Sequence, residues 1–379
     1  MFTTTDTHLQ AIRQAMPAAT AHVYLNTGTF GPLPDVVTAA MQAQIEHEWQ
    51  NGRLGSGGFE RIIAIYQQAR QRCARLLNAD ESEIALTDNT GEGLNIICYG
   101  LNWQAGDEII TTNHEHFSAL APLYQIRDRF GVVIRTADLG PQATRPALEA
   151  IQEQVTPRTR LILLSHVTWL TGAVLDVRSV GQWGRAHGIP VLVDGAQSAG
   201  NIPVDVKALD VDFYAIPMQK WLCGPDGTGA LYARAEAMSS IASTYVGYWS
   251  TLHDTDDPWT LRPDAARFEV GGRQTAGVAG QEAALRWLEE TVTHPWIFTR
   301  ITMLSGYANI MLQTVPGLKI LSPRPGSNGI LSFSLAGHTP EEVVQRLQSE
   351  HNIYIRSIPS TPILRVSIGF YNTEDDIYT

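Results

Sequence analysis

Apolar and polar positions follow two periods along this chain. "EIALTDN", "DEIITT", "VVIRTA", "TRLILLSHV", "IPVLVD", "VDFYAI" and "GALYA" contain short apolar runs rich in β-branched residues. Such runs predict strands, and the runs without polar alternation predict strands buried on both faces. "GEGLNIICYGL" and "FSALAPLYQIRDRF" lie between them with helical spacing. So do "DVVTAAMQAQIEHEW" and "ERIIAIYQQARQRCARLL" nearer the start, on either side of the loop "NGRLGSGG". "VYLNTGTFGPLP" predicts a short strand and a Gly/Pro turn. The alternation predicts an α/β fold, a mostly parallel sheet with helices on both faces.

After about residue 260 the pattern changes. An irregular polar stretch, "TLHDTDDPWTLRPDAARFEVGG", is followed by helix "VAGQEAALRWLEETV". Strands "LKIL", "GILSFSL" and "ILRVSI" then surround helix "PEEVVQRLQSE", which predicts a smaller α+β domain. The expected division is a large domain over 20–260 and a small one from 1–19 and 261–379.

Composition narrows the function. Hydrophobic residues make up 44% of 379, enough for a sizeable core. A formal net charge of −11 with 27 Lys+Arg argues against a nucleic-acid partner. The three cysteines, Cys73, Cys98 and Cys223, have no paired spacing, so neither disulfides nor a metal site is expected. "MFTTTDTHLQ" lacks the apolar core of a signal peptide, and no window is apolar enough to span a membrane. A soluble cytoplasmic protein is the expectation.

In open parallel sheets, ligands bind beyond the carboxyl ends of the strands. "IPVLVD" ends there in Asp194, with Gln197 after it. A buried aspartate is costly without a cation. "VDFYAI" ends in Pro217, Met218, Gln219, Lys220 and Trp221; "DEIITT" leads to His114 and His116; "EIALTDN" opens a helix at Thr90-Gly91-Glu92. A buried lysine can form a Schiff base with an aldehyde cofactor. A helix start can hold a phosphate, and a buried carboxylate can keep a pyridinium nitrogen protonated. These are the parts that pyridoxal 5′-phosphate (PLP) requires.

The segment "VLVDGAQSAGNIPVDVKALDVDFYAIPMQKWLCGPDGTGALY" resembles the core of the class V, fold-type I PLP-dependent enzymes. The resemblance extends from "YLNTGTFGPLP" to "RVSIGFYNTEDDI". Within that family the chain is most similar to the L-cysteine/L-cystine C–S lyases, around "NHEHFSA", "ILLSHVTWLTGAVL", "TYVGYW", "RFEV" and "YIRSI". The resemblance implies a fold-type I large domain, a small domain and a homodimer. It implies that Lys220 binds PLP covalently and moves the substrate Cα proton. Asp194 would hold the ring nitrogen, Gln197 the phenolate oxygen, and His116 would stack on the ring. Thr90, Gly91 and Glu92 would cradle the phosphate. Arg365 would bind the substrate carboxylate, with Arg356 as a second arginine and Asn26 on the substrate side.

Several positions depart from the family pattern. Relatives commonly carry threonine at position 91, Ser or Thr at 217, histidine at 219 and Thr or Ser at 272. This chain has Gly91, Pro217, Gln219 and Gly272. Arg273 is expected to compensate at the phosphate, beside Gln219. Trp169 and Leu170 stand where relatives place an asparagine near the cofactor oxygen.

The expected reaction is α,β-elimination from a cysteine-like amino acid, giving pyruvate, ammonia and a sulfur product. Isopenicillin-N-epimerase-like or aminotransferase chemistry is the alternative, and a PLP-fold binding module the non-enzyme one. Desulfurases resembling this family use a mobile small-domain cysteine, yet no cysteine follows Cys223. The corresponding loop, "SPRPGSNGIL", offers serine and asparagine instead. Loop 245–262 is expected to shape the pocket.

Overall fold

A computed structural model describes residues 7–53, 57–252, 257 and 259–379. Residues 1–6 of the expected small domain, 54–56 of the "NGRLGSGG" loop, and 253–256 and 258 of loop 245–262 lie outside the described residues.

The apolar runs assemble into one seven-stranded sheet. Its strands are β1 (Ile84–Thr87), β2 (Glu108–Thr112), β3 (Val133–Ala137), β4 (Thr159–Ser165), β5 (Val191–Asp194), β6 (Phe213–Pro217) and β7 (Gly229–Ala233). Their spatial order is β1-β7-β6-β5-β4-β2-β3. Every pairing is parallel except those of β7, which runs antiparallel to both β1 and β6. β5 and β6 are buried along their whole length, as unalternating patterns require. The α/β expectation is therefore met.

Helices α1 (Asp35–Asn51), α2 (Gly58–Leu77), α3 (Thr90–Gly100), α4 (Phe117–Phe130), α5 (Val177–Ala186) and α6 (Thr275–Arg286) cover the sheet or pack beside it. α3 lies close on β6, where a Cβ on Gly93 would come within 2.9 Å of Ala215 Cβ. The last of these elements, α6, packs on α1 and α2. The expected boundary at 261 therefore cuts through the packing of the large unit. Sequence patterning missed α5 and the long helix α7 (His294–Gln313). α7 has a weakly segregated surface, apolar on more than one side, so no helical stripe stands out.

The small unit is a four-stranded antiparallel sheet of β8 (Leu318–Ile320), β9 (Ile330–Leu335), β10 (Arg356–Ser357) and β11 (Leu364–Ser367). α7 and α8 (Pro340–His351) supply its apolar cover, with Leu304, Ala308, Val343 and Leu347 packed on Leu331, Phe333 and Leu364. Residues 25–31 join the two units. Thr27 N–H and Ser367 N–H exchange hydrogen bonds with Ser367 O and Leu25 O, while Gly31 N–H reaches Gln219 O at 2.7 Å. A Cβ on Gly31 would come 2.1 Å from Lys220 O, so only glycine allows this approach.

Candidate active site

The carboxyl ends of β4, β5 and β6 and the start of α3 surround a cavity of about 270 Å³. Its walls include Thr90, Gly91, His116, Asp194, Gln197, Gln219 and Lys220. Seven candidates spread over 130 residues of sequence thus meet in one place, because parallel strands bring their carboxyl ends to one edge.

Asp194 ends β5 and is 4% exposed. One oxygen accepts Ala196 N–H at 2.8 Å. The other has no protein partner among the described residues, and the side chain faces the cavity. Burial pushes its carboxyl pKa up, against the opposing pull of Lys220. A carboxylate so placed needs a cation from a ligand.

Lys220 follows β6 on the tight loop closed by Cys223 N–H to Lys220 O at 3.0 Å. Its amine makes no hydrogen bond or ion pair with the described residues and lines the cavity. Burial pushes its pKa down to about 8; Asp194 opposes this, and Arg365 and Arg356 add to it. A lysine with this shift is partly neutral and nucleophilic near pH 7.

His116 caps α4, its Nδ1 accepting Ser118 N–H at 3.1 Å. That bond leaves the proton of the neutral ring on Nε2. Burial and then the nearby Lys220 push its pKa down to about 4, so the ring is uncharged at neutral pH. Its ring stands edge-on to Trp169, centroids 5.1 Å apart. His114 turns away, Nε2 meeting Gly140 O at 2.6 Å.

Gln197 is fixed at both ends. Its amide donates to Gly28 O at 2.9 Å, and its oxygen accepts Trp221 Nε1–H at 2.8 Å. One N–H remains for a ligand.

α3 begins at the cap residue Asn89, whose Oδ1 accepts Glu92 N–H at 2.9 Å. This corrects one expectation: the Glu92 N–H is already used. Thr90 and Gly91 keep their N–H groups, and the buried Thr90 Oγ1 has no partner. Gln219 Oε1 is likewise buried and unpaired. Arg273 is a second correction. Its guanidinium does not line the cavity but pairs with Asp88 and with Glu92, the latter at 3.2 Å.

The small unit adds a cationic pair. Arg356 on β10 and Arg365 on β11 are register partners. Arg365 is 1% exposed, donating to Trp169 O at 2.7 Å and Thr29 Oγ1 at 3.2 Å. Arg356 donates to the same Thr29 oxygen at 2.9 Å. Neither has a carboxylate partner among the described residues, and burial with Arg356 nearby pushes the Arg365 pKa down to about 9. Like charges facing across a sheet are destabilising, so a retained pair without an acid suits an anion. Asn26 is one step removed, its Oδ1 accepting Thr29 Oγ1–H at 2.7 Å.

Three contributors escaped the sequence reading. Thr29 lies in "VYLNTGTFGPLP", but its two arginine partners come from 327 and 336 residues away in the chain. Ser165 lines the cavity from β4. Glu115 is buried behind it, accepting from Ser165 Oγ and Thr112 Oγ1, both at 2.6 Å.

Residues 23–379 match the family model "Aminotransferase class-V". The chain belongs to that family. It is 30% identical to a probable cysteine desulfurase of Methanothermobacter thermautotrophicus, covering 97% of this chain and 94% of that protein. It is 31% identical to cysteine desulfurase CsdA of Escherichia coli, over 94% and 92% of the two chains. A solved structure of the cystine C–S lyase C-DES, in complex with its reaction product cysteine persulfide, superposes with a TM-score of 0.91. That pair is 32% identical, with 96% and 97% of the chains covered. Another C-DES structure carries glycine covalently linked to its PLP cofactor. The family and the fold-type I expectation both stand.

Proposed function

We propose that this class V protein is a PLP-dependent carbon–sulfur lyase acting on cysteine, cystine or a related S-substituted cysteine. The observation that carries this reading is that, among the described residues, a Lys220 amine without a partner and a half-satisfied Asp194 share one cavity, beside two arginines without acidic partners. The relatives' names point the same way.

Lys220 Nζ would bind the cofactor aldehyde covalently. The free Asp194 oxygen would accept the ring N–H, the spare Gln197 N–H would reach the phenolate oxygen, and His116 would cover the ring face. Thr90 and Gly91 would hold the phosphate through N–H groups and Oγ1. PLP supplies an electron sink for negative charge at the substrate Cα. Arg365 and Arg356 orient the substrate by its carboxylate. Once the substrate amine has displaced Lys220 Nζ from the cofactor, the freed Lys220 amine would take the Cα proton, the Cβ–S bond would break, and sulfur would leave with the electron pair. Addition of water to the remaining three-carbon unit gives pyruvate and ammonia.

The cysteines support elimination without a relay thiol. Cys73, Cys98 and Cys223 are all fully buried, and burial pushes the first two thiols up to about 12 and Cys223 higher. The thiolate is the nucleophile, so none of them suits sulfur transfer. The small-unit loop is tied down, with Asn328 bonded to Gly172 O at 2.7 Å.

Homodimerisation belongs to the same proposal. Trp49 and Phe59 are exposed beside a depression of about 680 Å³ that Tyr66 and Trp249 also line. Exposed aromatic clusters of this kind suit a subunit interface. The cytoplasm suits three unpaired thiols. Among the described residues, no helix is long and apolar enough to cross a membrane.

The test is a substrate panel of cystine, cysteine, S-conjugates and other amino acids, read as pyruvate, sulfide and inverted product. Pyruvate from the sulfur substrates supports the lyase. Racemised or transaminated product without pyruvate points to epimerase or aminotransferase chemistry. A protein that PLP does not colour points to a binding module.

A further inference from the structure

The start of α3 carries two carboxylates as well as its free N–H groups. Asp88 immediately precedes the cap Asn89, and Glu92 lies in the first turn. Glu92 accepts the backbone N–H of Asp88, so its charge is held at the helix end. Acidic residues at a helix start satisfy its positive end, and for that reason they oppose a second anion there. A phosphate dianion on Thr90 and Gly91 would meet both charges within one turn.

Arg273 answers both. It pairs with Asp88 Oδ1 and with Glu92 Oε1 at 3.2 Å, its side chain only 11% exposed. Its backbone is fixed too, since N–H and C=O both bond the Tyr66 hydroxyl, at 2.7 and 2.8 Å. Tyr66 lies on α2, so packing of the large unit sets where the guanidinium lies.

We propose that Arg273 governs phosphate affinity as the counter-ion of Asp88 and Glu92, without touching the phosphate. It is a positioning residue for the electrostatics of the α3 start. The proposal rests on the phosphate lying at that helix start, as in the function proposed above. It explains how a cup with Gly91 and Pro217, and so few side-chain donors, retains a dianion: the counter-ion leaves the helix N–H groups unopposed.

The experiment measures PLP and unphosphorylated pyridoxal dissociation constants spectroscopically on the full-length protein after cofactor removal. Arg273→Ala is expected to weaken PLP about tenfold or more and to change pyridoxal much less. Adding Asp88→Asn and Glu92→Gln in the same chain is expected to recover most of the loss. The two neutralising changes alone, with Arg273 kept, are expected to tighten PLP; this arm retains the arginine should Arg273→Ala fold poorly. Recovery means counter-ion action. Unchanged PLP affinity in Arg273→Ala, or a triple variant as weak as the single one, overturns the proposal. Thr90→Val separates the two levels. If it leaves PLP affinity unchanged, the phosphate lies elsewhere and the parent placement fails. If it weakens PLP while the triple variant stays weak, only the counter-ion role fails.

Discussion

Arg356 and Arg365 face each other across antiparallel strands, and both donate to one hydroxyl, Thr29 Oγ1. That oxygen accepts two guanidinium N–H groups and gives its own proton to Asn26 Oδ1. One hydroxyl therefore links both guanidinium groups, with Trp169 O as a second anchor for Arg365. It comes from residues 25–31, which also hold the Lys220 loop through Gly31. The arginines and the lysine are thus tied to one rigid strip of chain.

Arg365→Ala is expected to lower kcat/KM for sulfur amino acids by about a hundredfold or more, through KM, with PLP content unchanged. Thr29→Val is expected to do the same more mildly, about tenfold, whereas Thr29→Ser retains the parent values. Steady-state kinetics beside the cofactor absorbance decides. Parent-like KM in Arg365→Ala removes it from the substrate site.

Cofactor capture should follow the Lys220 amine. With a pKa of about 8 rather than the ordinary value, the amine is neutral above pH 8 and protonated below. At pH 7 about one molecule in ten is reactive, against fewer than about one in a thousand for an ordinary lysine. The rate of PLP capture by the cofactor-free protein should rise with pH and level off above about 8. Arg365 lowers the Lys220 pKa, so Arg365→Ala should move that midpoint upward. Stopped-flow absorbance over pH 6–10 measures it; a rise continuing past pH 10 contradicts the shift.

Changing Cys73, Cys98 and Cys223 together to Ala or Ser should leave most pyruvate formation intact. Any loss should track thermal stability, since all three pack in the core. Mass spectrometry of the parent after turnover should find no persulfide. Persulfide on Cys223, with a folded and PLP-loaded Cys223→Ala protein inactive, would favour a desulfurase instead.

Burial pushes Glu115 up to about 7, against the two hydroxyls that donate to it; the Asp194 charge adds to the rise. A carboxyl raised in the folded state contributes stability that is complete below its unfolded pKa and is lost as pH rises through 7. Glu115→Gln removes this dependence. Its stability relative to the parent should improve between pH 5 and 8, by on the order of 3 kcal/mol. Chemical denaturation at both pH values checks the sign, and a constant difference rejects it.

The sequence by itself determined the seven strands of the large sheet, because short β-branched runs bounded by turn residues favour strands, though it left β10 unread. It also placed the aspartate of "VLVD" and the lysine of "MQKW" at the ends of buried strands. Tertiary structure decided the rest. α7 shows no clean stripe because its exposed side also carries apolar residues, Met303 and Ile310, opposite the buried Ile297, Ile301, Leu304 and Ala308. Arg273, placed at the phosphate by its position after "FEVGG", lies instead on Asp88 and Glu92, because Tyr66 on α2 fixes its backbone. Thr29 and Glu115 acquired roles only through partners distant in the chain. Short-range spacing records which residues follow a strand. Which charges meet depends on how separate layers pack, and no local period in the sequence encodes that.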